Sequence, residues 1–175
     1  MAYPFKREPE ISESDFSINQ HKAIEEIMYF ERKNKIEESL KLSLEWIDNS
    51  NAYSNLNVER SSLEGLSKLY YLVACDLKIL GRHEESLQFY ENSNDTMEKC
   101  CAISFSLIYL QILASGYFLY AIQLKKTGQD KKALSEAQKS LQLTDILIEQ
   151  PGNECNIVLK DNKEVIEEFI NELLS

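Results

Sequence analysis

Apolar residues recur every three or four positions along most of this chain, the spacing of one helix face. Ile18, Ala23, Ile24, Ile27, Met28 and Phe30 form the first stripe. Ser17 with Gln20 reads as its capping box, and Asn34 as the left-handed residue that ends it. Ile36, Leu40, Leu44 and Ile47 form a second stripe, with Trp46, the single tryptophan, expected to be buried beside it. The polar run at 48–56 predicts a loop, and Asn57 caps a third helix that Gly81 stops. A fourth helix starts near His83 and is expected to weaken at Asn92-Ser93-Asn94-Asp95, where Asp95 and Glu98 repeat the capping-box pattern. Nothing then interrupts the chain before Thr127-Gly128, which predicts a central helix of about 30 residues, roughly 45 Å long. A sixth helix covers 130–148, Gln150-Pro151-Gly152-Asn153 breaks the chain, and Asp161 with Glu164 caps a last helix with the stripe Val165, Ile166, Phe169, Ile170, Leu173 and Leu174. The expected fold is all-α: about seven antiparallel helices around a long buried central one. Pro4, Pro9 and the polar residues Ser12 to Asp15 predict a disordered tail over 1–15, ahead of a single helical domain over 16–175.

The stretch from Cys101 to Leu124 carries no charge. An uncharged run of about 18 or more residues is long enough to span a bilayer. Ser104, Ser106, Gln111, Ser115, Gly116 and Gln123 make it a mediocre span, so a helix packed among its neighbours is the preferred reading. A small membrane-anchored protein spanning through 101–124 is the alternative.

Composition narrows the function classes. Five glycines and three prolines in 175 residues leave long uninterrupted segments. The four cysteines form no Cys-x-x-Cys pair and only two histidines exist, so neither a metal site nor any cofactor is expected. No apolar leader opens the chain, and an intracellular protein, cytoplasmic or nuclear, is the simpler expectation. Asn94-Asp95-Thr96 matches a glycosylation acceptor, which matters only in a secreted chain. A net charge of −10 repels nucleic acid and acidic membranes and suits a basic protein partner. No Gly-rich phosphate loop or triad-like cluster points to an enzyme.

Three turns align. Asn34-Lys-Ile-Glu-Glu-Ser39-Leu40, Gly81-Arg-His-Glu-Glu-Ser86-Leu87 and Gly128-Gln-Asp-Lys-Lys-Ala133-Leu134 begin 47 residues apart both times. Equal spacing of a matched turn is a repeat signal. Gly or Asn lets a helix stop and reverse, the small residue lets the next helix cross closely, and leucine fills the seam. Tyr70, Val73, Ala74 and Leu77 precede Gly81, and Tyr117, Tyr120, Ala121 and Leu124 precede Gly128. Ser86, Tyr90 and Ser93 follow the second turn; Ala133, Ala137 and Ser140 follow the third. Over about residues 20–145 this pattern resembles the tetratricopeptide repeat (TPR), in which helix pairs stack around a Gly-containing turn. The first unit, with Ala23, Glu26, Ile27 and Phe30, is degenerate, and the usual period is about 34. The longer interval implies longer helices or loops.

The resemblance implies a groove lined by the first helix of each pair. The matching positions are Lys68, Tyr71, Leu72, Cys75 and Lys78, then Ser115, Phe118, Leu119, Ile122 and Lys125. The clamp of Lys, Asn and Arg with which some members hold a chaperone's C-terminal carboxylate is absent at these places. The expected function is a non-catalytic adaptor or subunit of a larger complex that buries a partner's helix or peptide segment against these largely apolar positions. A peptide-sensing regulator of the same fold is an alternative. The C-terminal helix filling the groove, or oligomerisation through exposed apolar surface, would be a competing use of the same face.

Overall fold

The computed structural model describes residues 12–54, 60–152 and 156–175. Among these residues seven helices follow one another: α1 (Glu13–Arg32), α2 (Ile36–Ser54), α3 (Arg60–Ile79), α4 (His83–Ile103), α5 (Leu107–Lys126), α6 (Asp130–Ile148) and α7 (Ile157–Leu174). Each packs on the next, and α1 also packs directly on α3. The described residues contain no strand. The architecture is a stack of helical hairpins, α1/α2, α3/α4 and α5/α6, with α7 added at the end.

The 47-residue interval is present at the level of single atoms. Asn34, Gly81 and Gly128 all have positive φ, 56°, 75° and 76°. At each, the residue that follows sends its N–H back to the helix: Lys35 to Phe30 O (2.9 Å), Arg82 to Leu77 O (2.8 Å) and Gln129 to Leu124 O (2.9 Å). This is the Schellman closure that a left-handed residue permits. Past the turn, Ser39, Ser86 and Ala133 are fully buried, so the returning helix crosses close to its partner. Further along, Ser93 Oγ donates to Ser67 O (2.9 Å) and Ser140 Oγ donates to Ala114 O (2.7 Å), the same bond one unit apart. Helices of 19–21 residues joined by short turns account for the long interval: the extra residues lengthen helices.

Burial follows the stripes. Ile24, Ile27, Leu40, Ile47, Leu69, Val73 and Leu77 form the core of the first three helices, with Trp46 half-buried against it. Ala74, Tyr90, Tyr120, Leu124 and Ala133 carry the core into the third hairpin.

Element boundaries differ from expectation in four places. The central helix is not about 30 residues long. α4 runs unbroken through Asn92 to Asp95, and the chain breaks at Ser104 to Ser106, where Ser104 and Ser106 adopt extended φ and ψ. Small polar residues inside α4 serve contacts with other helices instead of a cap: Ser67 Oγ donates to Ser93 O (2.9 Å) while Ser93 Oγ returns a bond. α2 continues to Ser54, through most of the expected loop, and α7 starts at Ile157, capped by Asn156 Oδ1 on the Leu159 N–H (3.3 Å). At the other end, α1 starts at Glu13 with Ser12 as cap, not at a Ser17 cap, so Glu13 to Asp15 belong to the helix. Residues 1–11, the rest of the expected tail, lie outside the described residues.

Candidate functional site

The odd-numbered helices step along one side of the stack, and the three steps between them differ. The first step is closed. Gln20 of α1 is 2% exposed; its Nε2 donates to Ser50 Oγ (2.9 Å) and Ser62 O (3.3 Å), and its carboxamide lies where a Cβ on Gly65 of α3 would sit. Only glycine allows that approach. One interval later, Gln20 becomes Ser67 and Gly65 becomes Ile112. Ser67 is committed to Ser93 of its own hairpin, and Ile112 is 45% exposed. A further interval on, the pair is Ala114 and Leu159, which pack together with Leu147.

The second step, between α3 and α5, therefore stands open. It holds a groove of about 690 Å³, within the roughly 300–1,000 Å³ of small-ligand sites. α1 contributes Ser17, His21 and Ile24 to one side. α3 contributes Ser61, Glu64, Lys68 and Tyr71, and α5 contributes Ile108, Gln111, Ile112, Ser115 and Leu119. Ser93, Asn94 and Met97 of α4 lie between them and form the floor. Tyr109 bridges the walls by donating to Glu64 Oε2 (2.7 Å), and that bond holds the phenol above its ordinary pKa. Burial does the same for Tyr71. The groove offers hydroxyls, carboxamides and exposed isoleucines, the means of recognition by hydrogen bonding and apolar burial.

Four positions expected in a groove are on its wall: Lys68, Tyr71, Ser115 and Leu119. The others are elsewhere. Leu72 is a correction: it is 6% exposed and packs in the core of the first three helices, because it falls on the inner stripe of α3. Cys75 is half-buried with its Sγ 3.8 Å from Tyr90 Oη, and Lys78 projects at the turn end of α3; neither lines the groove. Phe118, Ile122 and Lys125 lie along the third step, which α7 covers in part. Phe118 meets Phe169 edge-on at 5.4 Å, and Lys125 pairs with Glu172 at 2.6 Å. A smaller space of about 230 Å³ remains there between α5, α6 and α7. Ile122 stays 41% exposed. The groove is thus open on the α3 side of α5 and partly filled on the α7 side.

The expectation placed the groove about two helical turns too near the Gly turns, and it missed the contributions of α1 and α4. The repeat itself carried the signal: Ser17, Glu64 and Gln111 share one register, as do His21, Lys68 and Ser115. Asn94 is 5% exposed and so has no access for a glycosylating enzyme. Cys75, Cys100 and Cys101 are free thiols, and burial pushes that of Cys100 up to about 11. Among the described residues no three His, Cys, Asp or Glu side chains converge as metal ligands. Compared with known proteins, the chain matches no family model, no curated sequence and no solved structure.

Proposed function

We propose that this chain is a TPR-like adaptor, a non-catalytic subunit that holds a segment of a partner protein in the groove between α3 and α5. The observation that carries this reading is the open second step: Ile108 (68% exposed) and Ile112 stand on the wall of a cleft with a polar floor. Burying two such side chains supplies a few kcal/mol, roughly 1.5–3 each. The polar and charged groups at the walls, His21, Glu64 and Lys68, set orientation more than affinity. On α7, away from this groove, Glu167 and Glu172 are paired with Lys163 and Lys125, and Glu164 and Glu168 are exposed.

A soluble, reducing setting fits the free thiols. α5 is the one helix among the described residues that is long and apolar enough to cross a membrane. Its tyrosines argue for the packed reading: Tyr109 bonds Glu64, Tyr117 bonds Glu98, and Lys132 lies over the Tyr120 ring. Moving α5 into hydrocarbon would strip these partners from it.

The test is a paired variant, Ile108→Glu with Ile112→Glu, against Gln138→Glu on exposed α6 as control. The partner captured by the unmodified chain should be lost from the double variant and kept by the control. A folded double variant that retains its partner overturns the reading.

A further inference from the structure

The third step is filled by the chain itself, and α7 fills it loosely. α7 packs chiefly on α6 and reaches α5 through side chains, whereas α5 packs on both α4 and α6. α7 buries two residues, Leu159 and Ile166, where α5 buries eight. Tyr117, Ala121 and Leu124 of α5 are buried within the stack; one interval later they become Glu164, Glu168 and Asn171, all exposed, so α7 has no hairpin partner on that side. Two of its remaining holds are ion pairs at the surface, Glu172 with Lys125 at 2.6 Å and Lys163 with Asp145 at 2.8 Å, and such pairs contribute little. The space of about 230 Å³ between α5, α6 and α7 has Val165 on one wall and Phe118, Ser140 and Thr144 on the others. Well-packed interiors leave no such space, and a terminal helix with few buried contacts is the kind of element that opens first.

The face beneath α7 is shaped for a helix. Leu159 packs with Ala114 and Leu147, and Leu173 reaches the cluster of Tyr120 and Leu124. Ile166 falls midway, so three apolar side chains follow at seven-residue spacing, about 10 Å apart along a helix. This is the stripe with which an amphipathic helix lies in a groove. Near the other end, Lys125 Nζ lies 5.1 Å from the centre of the Phe169 ring while it bonds Glu172. The face therefore reads an apolar register and one acid near the C-terminal end of the helix.

We propose that α7 is a replaceable helix: an amphipathic helix of a partner protein takes its place on α5 and α6. Its apolar residues, seven apart, lie over Ala114, Leu147 and the remaining space, and an acidic residue meets Lys125. In the closed chain α7 holds this face shut. The face lies on the far side of α5 from the groove between α3 and α5, and its use does not depend on what that groove holds.

The probe is α7 itself, a labelled peptide of residues 156–175 titrated with the full chain and read by fluorescence polarisation. The tethered helix competes at an effective concentration on the order of millimolar, so the unmodified chain should bind the peptide weakly. Leu159→Asp with Ile166→Asp in the chain, which frees its own α7, should tighten binding at least about tenfold. The same two changes in the peptide should abolish binding, and Val165→Ile in the peptide should tighten it about fourfold, the worth of one buried methylene. A freed chain that keeps its remaining helices and does not bind overturns the proposal. So does loss of binding with Ile112→Glu, which would place the peptide in the other groove. Amide exchange on the unmodified chain covers a freed variant that folds poorly: α7 should exchange as one unit, about 100-fold or more faster than α3, and equal protection overturns the proposal. A dimer of the unmodified chain that the two aspartates abolish would make the α7 of a second copy the occupant and overturn the assignment to a partner.

Discussion

The step from α1 to α3 and the step from α3 to α5 are built from the same register of the repeat, yet one is sealed and the other open. At the first, a long carboxamide reaches across to a glycine. At the second, the equivalent residues are a serine turned into its own hairpin and an isoleucine left at the surface. The hairpins α3/α4 and α5/α6 share their buried small residues and the same crossing bond, Ser93 to Ser67 O and Ser140 to Ala114 O, while α1/α2 keeps the buried serine after its turn. What varies is one pair of side chains between hairpins. A repeat array can therefore place a groove between any two units without disturbing its core, since the core lives inside each pair and the groove between pairs. The step from α5 to α7 makes the same point from the other direction: Leu159 stands where Ile112 stood one interval earlier and is buried.

The largest expected effect is at that last step. Leu159→Ala should destabilise the chain by about 2–3 kcal/mol, the lower part of the range for a buried leucine, because α7 can shift at the end of the stack to close the space. Denaturant unfolding reads the loss, and amide exchange should show it concentrated in α7. An unchanged midpoint would mean that the third step is not closed by this side chain.

Next comes the sealed first step. Gly65→Ala places a methyl group against the Gln20 carboxamide, which Ser50 and Ser62 hold in place. Overpacking of about 1–3 kcal/mol outweighs the roughly 1 kcal/mol gained in helix propensity, for a net loss of up to about 2 kcal/mol. Adding Gln20→Ser, the residue found one interval later, should recover part of it. Additive effects of the two substitutions would show that this contact does not seal the step.

The hairpins were legible in the sequence because their determinants are local: Asn34, Gly81 and Gly128 need positive φ, and the small residues after them follow at fixed offsets. The break at Ser104 to Ser106 was not, because it sits in the most apolar run of the chain and no Gly or Pro marks it. The interval would have found it: Pro151-Gly152-Asn153 and the segment near Asn57 lie one unit away on either side. The false cap at Asp95 has a physical reason as well. Ser93 is polar because of what it faces on α3, and a pattern within one helix does not carry that information. The groove depends on Gln20 meeting Gly65 and Ser67 failing to meet Ile112, contacts between residues about 45 positions apart, and such pairing emerges only once the hairpins are stacked.

The sealed step carries a pH dependence that the open one lacks. Glu31 of α1 and Asp76 of α3 are both held above the ordinary carboxylate range, each chiefly by burial, and Glu31 also by the charge of Asp76. Arg32 and Lys68 act against this at Glu31, and the Ser39 hydroxyl, donating to Asp76 Oδ2 at 2.6 Å, acts against it at Asp76. The equivalents one interval later are Lys78 and Gln123, which cannot repel in this way. A raised carboxyl pKa means that the folded state binds the proton more tightly. Stability from these groups is fullest below their unfolded values and declines as pH rises through the folded ones. Asp76→Asn should flatten that decline. Melting temperatures from mildly acidic to neutral pH measure it, and an unaltered slope would remove Asp76 as its source.

The smallest expected effect is the sharpest test of openness. Ile112→Ser should change stability by no more than about 0.5 kcal/mol, as for a surface substitution. The side chain keeps nearly half its exposure. Were α3 and α5 to close on each other in solution as α1 and α3 do, Ile112 would be interior, and the same change would lower the unfolding free energy by several times that amount. A loss above about 1.5 kcal/mol would therefore close the groove and leave the two steps alike. A null effect on stability, joined to the loss of partner binding, would separate recognition from folding at a single residue.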